Sequence, residues 1–185
     1  SSETGPIILG YRTSSSKSKG DASLIIYQKG AHVLHMIRNM LIDWRTFDET
    51  RFFGMMKEYY ETYRGKTATT ADFQRMVEKY MGEEMTWFFD EWVYGTEIPT
   101  YKFSYTIEPG ENKTFTAKCH VVTEGVSPDF RMYVPVEIQI DDKRKAYVSI
   151  GVVGTEYTFT LPGLPVQPKK LVLNPFESVL AEVNE

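Results

Sequence analysis

Apolar residues along the chain follow two rhythms, and the change falls near residue 97. Before it they recur three and four residues apart, the spacing of one helix face. Val33, Ile37, Met40 and Leu41 mark a helix over about Leu24–Asp43. Gly30 near its start costs about 1 kcal/mol of helicity relative to Ala, and a glycine there lets another element approach closely. Phe52, Met55, Met56 and Tyr59 mark a second helix over about Asp48–Arg64, with Gly65 as its stop. A third starts at Thr69 or Thr70, where Thr69 and Asp72 stand at capping-box spacing. It carries Phe73, Met76, Val77 and Tyr80 and ends near Gly82. A fourth runs from about Glu83 to Tyr94 with Met85, Phe88, Phe89 and Trp92 inward. Glu83 and Glu84 suit the positive end of its dipole, Gly95 ends it, and Pro99 blocks continuation.

After residue 97 the apolar positions alternate, the period of a half-buried strand. Tyr101, Phe103, Tyr105 and Ile107 form one such set; Phe115, Ala117, Cys119 and Val121 follow the turn Pro109-Gly110-Glu111-Asn112. Met132, Val134, Val136, Ile138 and Ile140 form a third, and Pro135 inside it points to an edge strand or a bulge. Asp141-Asp142-Lys143 reads as a hairpin turn into Ala146, Val148 and Ile150. Tyr157, Phe159 and Leu161 and the short Lys170–Leu173 complete the set. Six or seven short strands at this spacing indicate an immunoglobulin- or fibronectin-like antiparallel β-sandwich. The expected fold is therefore α+β, with an α-helical subdomain over 1–97 and the sandwich over 98–185. Ahead of the helices, Gly5–Tyr11 reads as a short buried strand. Ser14–Asp21 reads as a polar mobile loop, without the strand and Gly-rich turn of a phosphate-binding loop.

Composition narrows the function classes. A chain of 185 residues holds one medium domain or two small ones. The formal net charge of −4 argues against a nucleic-acid platform. The apolar runs fall far short of the roughly 20 residues of a membrane span. Cys119 is the sole cysteine, so no internal disulfide forms and the compartment stays open. The chain starts Ser1-Ser2-Glu3, which reads as a processing or cloning boundary.

Histidine is scarce: His32, His35 and His120. His32 and His35 lie at i, i+3 on the first helix and could reach one metal ion, but zinc sites take three or four protein ligands. The HExxH spacing is not met, because His32-Val33-Leu34-His35 is one residue short and has Val where Glu is needed. The pair reads as partly buried, hydrogen-bonded histidines. His120 and Cys119 are strand neighbours and point to opposite faces, which disfavours a Cys–His nucleophile; Cys119 reads as core. Asp90-Glu91 and Asp141-Asp142 fit a solvated helix face and a turn.

The segment Tyr27-Gln28-Lys29-Gly30-Ala31 resembles the Tyr-x-Lys-Gly-Ala segment of the aminopeptidase N family of zinc gluzincins. Phe53-x-x-Met56 through Tyr59-Tyr60, Thr69-Thr70-Ala71-Asp72-Phe73 and Trp87-Phe88-Phe89-Asp90-Glu91-Trp92-Val93-Tyr94-Gly95 are similar to that family in its order. So is the closing Leu171-Val172-Leu173-Asn174-Pro175. The resemblance implies that 1–97 is the helical part of a gluzincin-type catalytic domain and that Tyr27 stabilises the oxyanion of peptide hydrolysis. A phenol keeps its proton at neutral pH and can donate it.

The family's HExxH and its downstream glutamate ligand precede the tyrosine segment, and neither motif occurs here. The expectation is a C-terminal fragment of a zinc metallopeptidase, inactive alone, with no cofactor of its own. Zinc, the N-terminal catalytic half and the peptide substrate would belong to the parent. An exposed apolar patch on the helical part, or self-association that hides it, would follow. The rival reading is a non-catalytic protein-interaction module on the same fold.

Overall fold

The structure, a computed structural model, describes residues 6–8 and 24–184. Of the expected strand at Gly5–Tyr11, only Pro6, Ile7 and Ile8 are described, and Ile7 and Ile8 form a 3₁₀ turn instead. The polar stretch Ser14–Asp21 lies outside the described residues. The chain divides into two compact units, Ser1–Glu97 and Ile98–Glu185.

In the first unit, a π-helical turn, Leu24–Lys29, leads into α1, Gly30–Leu41. Val33, Met36, Ile37 and Leu41 are buried on one face of α1. Among the described residues, a Cβ on Gly30 would meet nothing within 4 Å, so no close approach of another described element uses this glycine, contrary to the sequence expectation. α2, Thr50–Tyr63, buries Phe52 and Met55. It ends in a tight turn in which Arg64 is extended, Gly65 has φ 75°, and Lys66 N donates to Tyr63 O at 2.8 Å. That turn needs a positive φ at its third position, which glycine supplies without strain.

α3, Thr70–Met81, is capped as its sequence implies. The Thr69 hydroxyl accepts from Asp72 N at 3.2 Å, and Asp72 Oδ2 accepts from Thr69 N at 2.8 Å. Gly82 closes the helix at φ 77°. The fourth helical stretch starts at Thr86, not Glu83: α4, Thr86–Phe89, continues as a second π-helical turn, Asp90–Tyr94. The left-handed Gly82 reverses the chain, and the following acids act from outside the helix. Glu84 accepts from the Thr86 hydroxyl at 2.7 Å. Rings from three helical stretches fill the interior: Tyr59 on Phe73 (5.1 Å), Phe73 on Phe89 (6.2 Å) and Phe88 on Trp92 (6.5 Å). Offset and edge contacts of this kind add about 0.5–1.5 kcal/mol each beyond area burial.

The second unit is a two-sheet sandwich. β1 (Thr100–Pro109), β2 (Phe115–Glu124), β3 (Arg131–Gln139), β4 (Lys145–Val153), β5 (Glu156–Leu164), β6 (Lys170–Leu173) and β7 (Glu182–Asn184) form sheets of order β5-β2-β1-β7 and β4-β3-β6. β7 pairs parallel with β1. The inward residues are the alternating ones: Tyr101, Phe103, Ala117, Cys119 and Val121 from one sheet, and Met132, Val134, Val136, Leu171 and Leu173 from the other are buried. Each fully buried large aliphatic contributes about 1.5–3 kcal/mol relative to exposure. The Tyr105 hydroxyl bridges the sheets by accepting from Leu171 N at 3.2 Å.

Pro135 lies in the central strand of its sheet, not on an edge. The β3–β6 ladder spans Val136–Gln139 and stops one residue short of it. Its carbonyl accepts from Asn174 N at 2.9 Å, and Asn174 is already left-handed at φ 55°. No ladder donor is called for there, so the missing N–H is tolerated.

Candidate functional site

The site expected from the sequence centres on Tyr27, and the structure places it in the π-helical turn ahead of α1. Turns of this i→i+5 type are rare and occur often at functional sites. The Tyr27 side chain is directed outward, with the residue 62% exposed. Two positions on, Lys29 is the reverse, with 9% of its surface exposed. The turn thus presents a phenol on one side and buries an ammonium on the other.

The buried ammonium has a definite partner. Lys29 Nζ donates to the Gly95 carbonyl at 2.7 Å, across 66 residues of sequence. Burial lowers the lysine pKa from its ordinary value, and a bond to a carbonyl oxygen offsets part of the cost of taking the charge out of water. Gly95 directly follows the second π-helical turn. A Cβ there would stand 2.5 Å from the Glu91 carbonyl oxygen and 2.8 Å from that of Asp90. Both are backbone atoms that cannot swing aside, so glycine is the residue that fits. The Lys29 ammonium therefore ties the turn bearing Tyr27 to the end of the last helical segment, at a carbonyl only a glycine can present.

His32 and His35 are half-buried on α1, and the His35 backbone carbonyl accepts from Asn39 Nδ2 at 2.8 Å. Among the described residues no group of three or more His, Cys, Asp or Glu side chains could hold a metal ion. The donor set of the described residues does not fit zinc, which needs at least three protein ligands. Cys119, 3% exposed, faces the sandwich interior, where burial pushes its thiol up to about 11. His120, on the other face, stands 2.9 Å from Glu156 Oε1.

The remaining polar clusters stabilise structure. Asp72 lies below the usual carboxylate range, first through the Thr69 hydroxyl and then the Thr69 N–H, with Tyr63 and Arg75 adding smaller effects. Glu58 is held low by Lys79 and by the Tyr80 hydroxyl at 2.9 Å. In the sandwich, Glu137 is 4% exposed. Burial opposes its charge, but bonds from Gln139, Lys145 and Tyr147 together outweigh it and lower its pKa. Tyr147 is pushed up to about 12, first by burial and then by its bond to Glu137. A cleft along β1, β2 and β5 includes Ser104, Lys118, His120 and Thr158, but Lys118 is already paired with Glu108 at 2.7 Å.

Sequence reasoning singled out Tyr27 and passed over Lys29 and Gly95 as working residues. The available signal was a lysine directly before a buried helical face, at a position where an exposed residue would be ordinary.

No family model matches the chain. It is 24% identical to aminopeptidase N of Escherichia coli (strain K12) over 169 residues, which covers 84% of the chain and 19% of that protein. Among solved structures, Legionella pneumophila aminopeptidase A in complex with aspartic acid matches with a TM-score of 0.67 at 15% identity, over 86% of this chain and 18% of that one. The chain is thus similar to a portion of an aminopeptidase and spans about a fifth of the length of these two proteins.

Proposed function

We propose that this chain is the C-terminal, helical and β-sandwich portion of a zinc-dependent aminopeptidase and that Tyr27 donates a hydrogen bond to the oxyanion formed when a peptide carbonyl is attacked. One observation carries the reading. A phenol aligned with the Tyr-x-Lys-Gly segment projects outward from a turn that is anchored behind it by Lys29. A donor held in place before the reaction stabilises developing negative charge without reorganising, and removing one such donor costs about 10²–10³ in kcat.

The metal and its ligands would come from a part of the protein outside this chain, since the residues described here do not fit zinc. The 185-residue chain is therefore expected to be inactive by itself. The aminopeptidase similarity over 84% of the chain supports the peptidase class. The substrate would be a peptide entering by its N-terminus.

The test compares this chain with the longer polypeptide encoded around it. Release of N-terminal residues from short peptides by the longer protein, lost on chelation, with neither activity nor stoichiometric zinc in the chain alone, is the expected outcome. A longer protein that carries no HExxH and cleaves no peptide overturns the reading in favour of a non-catalytic interaction module.

A further inference from the structure

We infer that Lys29 is the positioning residue of Tyr27: its buried ammonium, bonded to the Gly95 carbonyl, fixes the direction in which the phenol leaves the π-helical turn. This rests on the assignment of Tyr27 as the oxyanion donor.

Three features of the structure lead there. First, the two side chains leave one turn in opposite senses, Tyr27 at 62% exposure and Lys29 at 9%. The position of one end therefore constrains the other. Second, the ammonium is bonded to a backbone carbonyl at 2.7 Å, not to a mobile side chain. That carbonyl belongs to a residue where an added Cβ would meet the backbone oxygens of Glu91 and Asp90, so the anchor is backbone at a position that excludes a side chain. Third, Lys29 is the last residue of the π-helical turn and immediately precedes α1. No side chain caps the start of α1, since Lys29 occupies the cap position without a capping hydrogen bond, and Gly30, next along, touches nothing through a would-be Cβ. A buried lysine is costly compared with an apolar side chain of similar length. A methionine would fill the same space, but it cannot hold a carbonyl oxygen. A misplacement of about 1 Å at a reacting centre can lower a rate 10²-fold, so fixing this turn bears directly on catalysis.

Two measurements test the inference. In the peptidase that contains this chain, Lys29→Met is expected to lower kcat at least about ten-fold while KM stays within about two-fold, and to cost less than about two-fold more when Tyr27 is already Phe. A residue that merely stabilises the fold would give additive losses. In the 185-residue chain itself, 3-fluorotyrosine placed at position 27 reports the phenol directly by ¹⁹F NMR. Lys29→Met is expected to shift or broaden that resonance, and Gly30→Ala to leave it in place. If Lys29→Met does not fold, Lys29→Arg, which moves the donor, is read in the same way. An unshifted, equally narrow resonance in a folded Lys29 variant overturns the inference, as do additive kinetic losses. Near-normal kcat in Tyr27→Phe overturns instead the catalytic assignment of Tyr27, while the fluorine result still decides whether Lys29 positions it.

Discussion

Lys29 and Gly95 join the two π-helical turns of the first unit, one ammonium to one carbonyl at 2.7 Å. The bond closes a loop of 66 residues, so the start and the end of the helical segment are held in one place. Lys29 contributes the charge, and Gly95 the absence of a Cβ that would meet the Glu91 and Asp90 carbonyl oxygens.

The two glycines beside this contact should respond oppositely to alanine. At Gly95 the new methyl group would meet backbone oxygens at 2.5 and 2.8 Å. The helical unit is expected to lose about 1–3 kcal/mol, the cost of overpacking a site that cannot relax. At Gly30 a methyl group would meet nothing within 4 Å. Helix propensity and a stiffer unfolded chain should then stabilise the unit by about 0.5–1 kcal/mol. Urea unfolding followed by circular dichroism at a helix wavelength measures both. Equal effects of the same sign would contradict the packing described.

The capping box sets an acid limit on α3. The folded pKa of Asp72 lies below its unfolded value, with the Thr69 hydroxyl as the leading cause. Its contribution is present above the unfolded carboxylate pKa of about 3.9 and is lost as pH falls through the folded value. Thr69→Ala removes the leading cause and the helix cap together, at a cost of about 1 kcal/mol at neutral pH. The acid-unfolding midpoint of the helical unit should move to higher pH in that variant. An unmoved midpoint would show that the cap does not govern acid stability.

Tyr147 should matter to the sandwich through Glu137, which its hydroxyl reaches at 2.9 Å. A hydrogen bond to a charged group is worth about 1.5–3 kcal/mol, and Glu137 is nearly buried. Tyr147→Phe is expected to destabilise the sandwich by about 2 kcal/mol, measured by chemical denaturation. Tyr147→Phe with unchanged stability would mean that Gln139 and Lys145 satisfy Glu137 unaided.

Much of the fold is legible in the sequence because side-chain period maps onto a single buried face. The stripe Val33, Ile37 and Leu41, the alternation through Tyr101 and Phe103, and the Thr69–Asp72 box all stand where their spacing puts them. The π-helical turns are not legible, because a change from i+4 to i+5 bonding leaves no mark on composition and is settled by packing. β7 has three residues, too few for its alternation to stand out. Pro135 misleads because the rule against proline in central strands assumes a ladder on both sides, and here one ladder has just ended. Tyr27 is a candidate through family resemblance alone, since an exposed tyrosine at a helix start is unremarkable by itself. Lys29 stayed hidden because its partner lies 66 residues away, beyond any local pattern.

Steady-state kinetics of Tyr27→Phe in the longer protein proposed to contain this chain decides whether the Tyr27 phenol acts on the reacting carbonyl. The expected result is a kcat lowered by about 10²–10³, with zinc content and thermal stability unchanged. A kcat close to that of the unaltered enzyme would contradict the account.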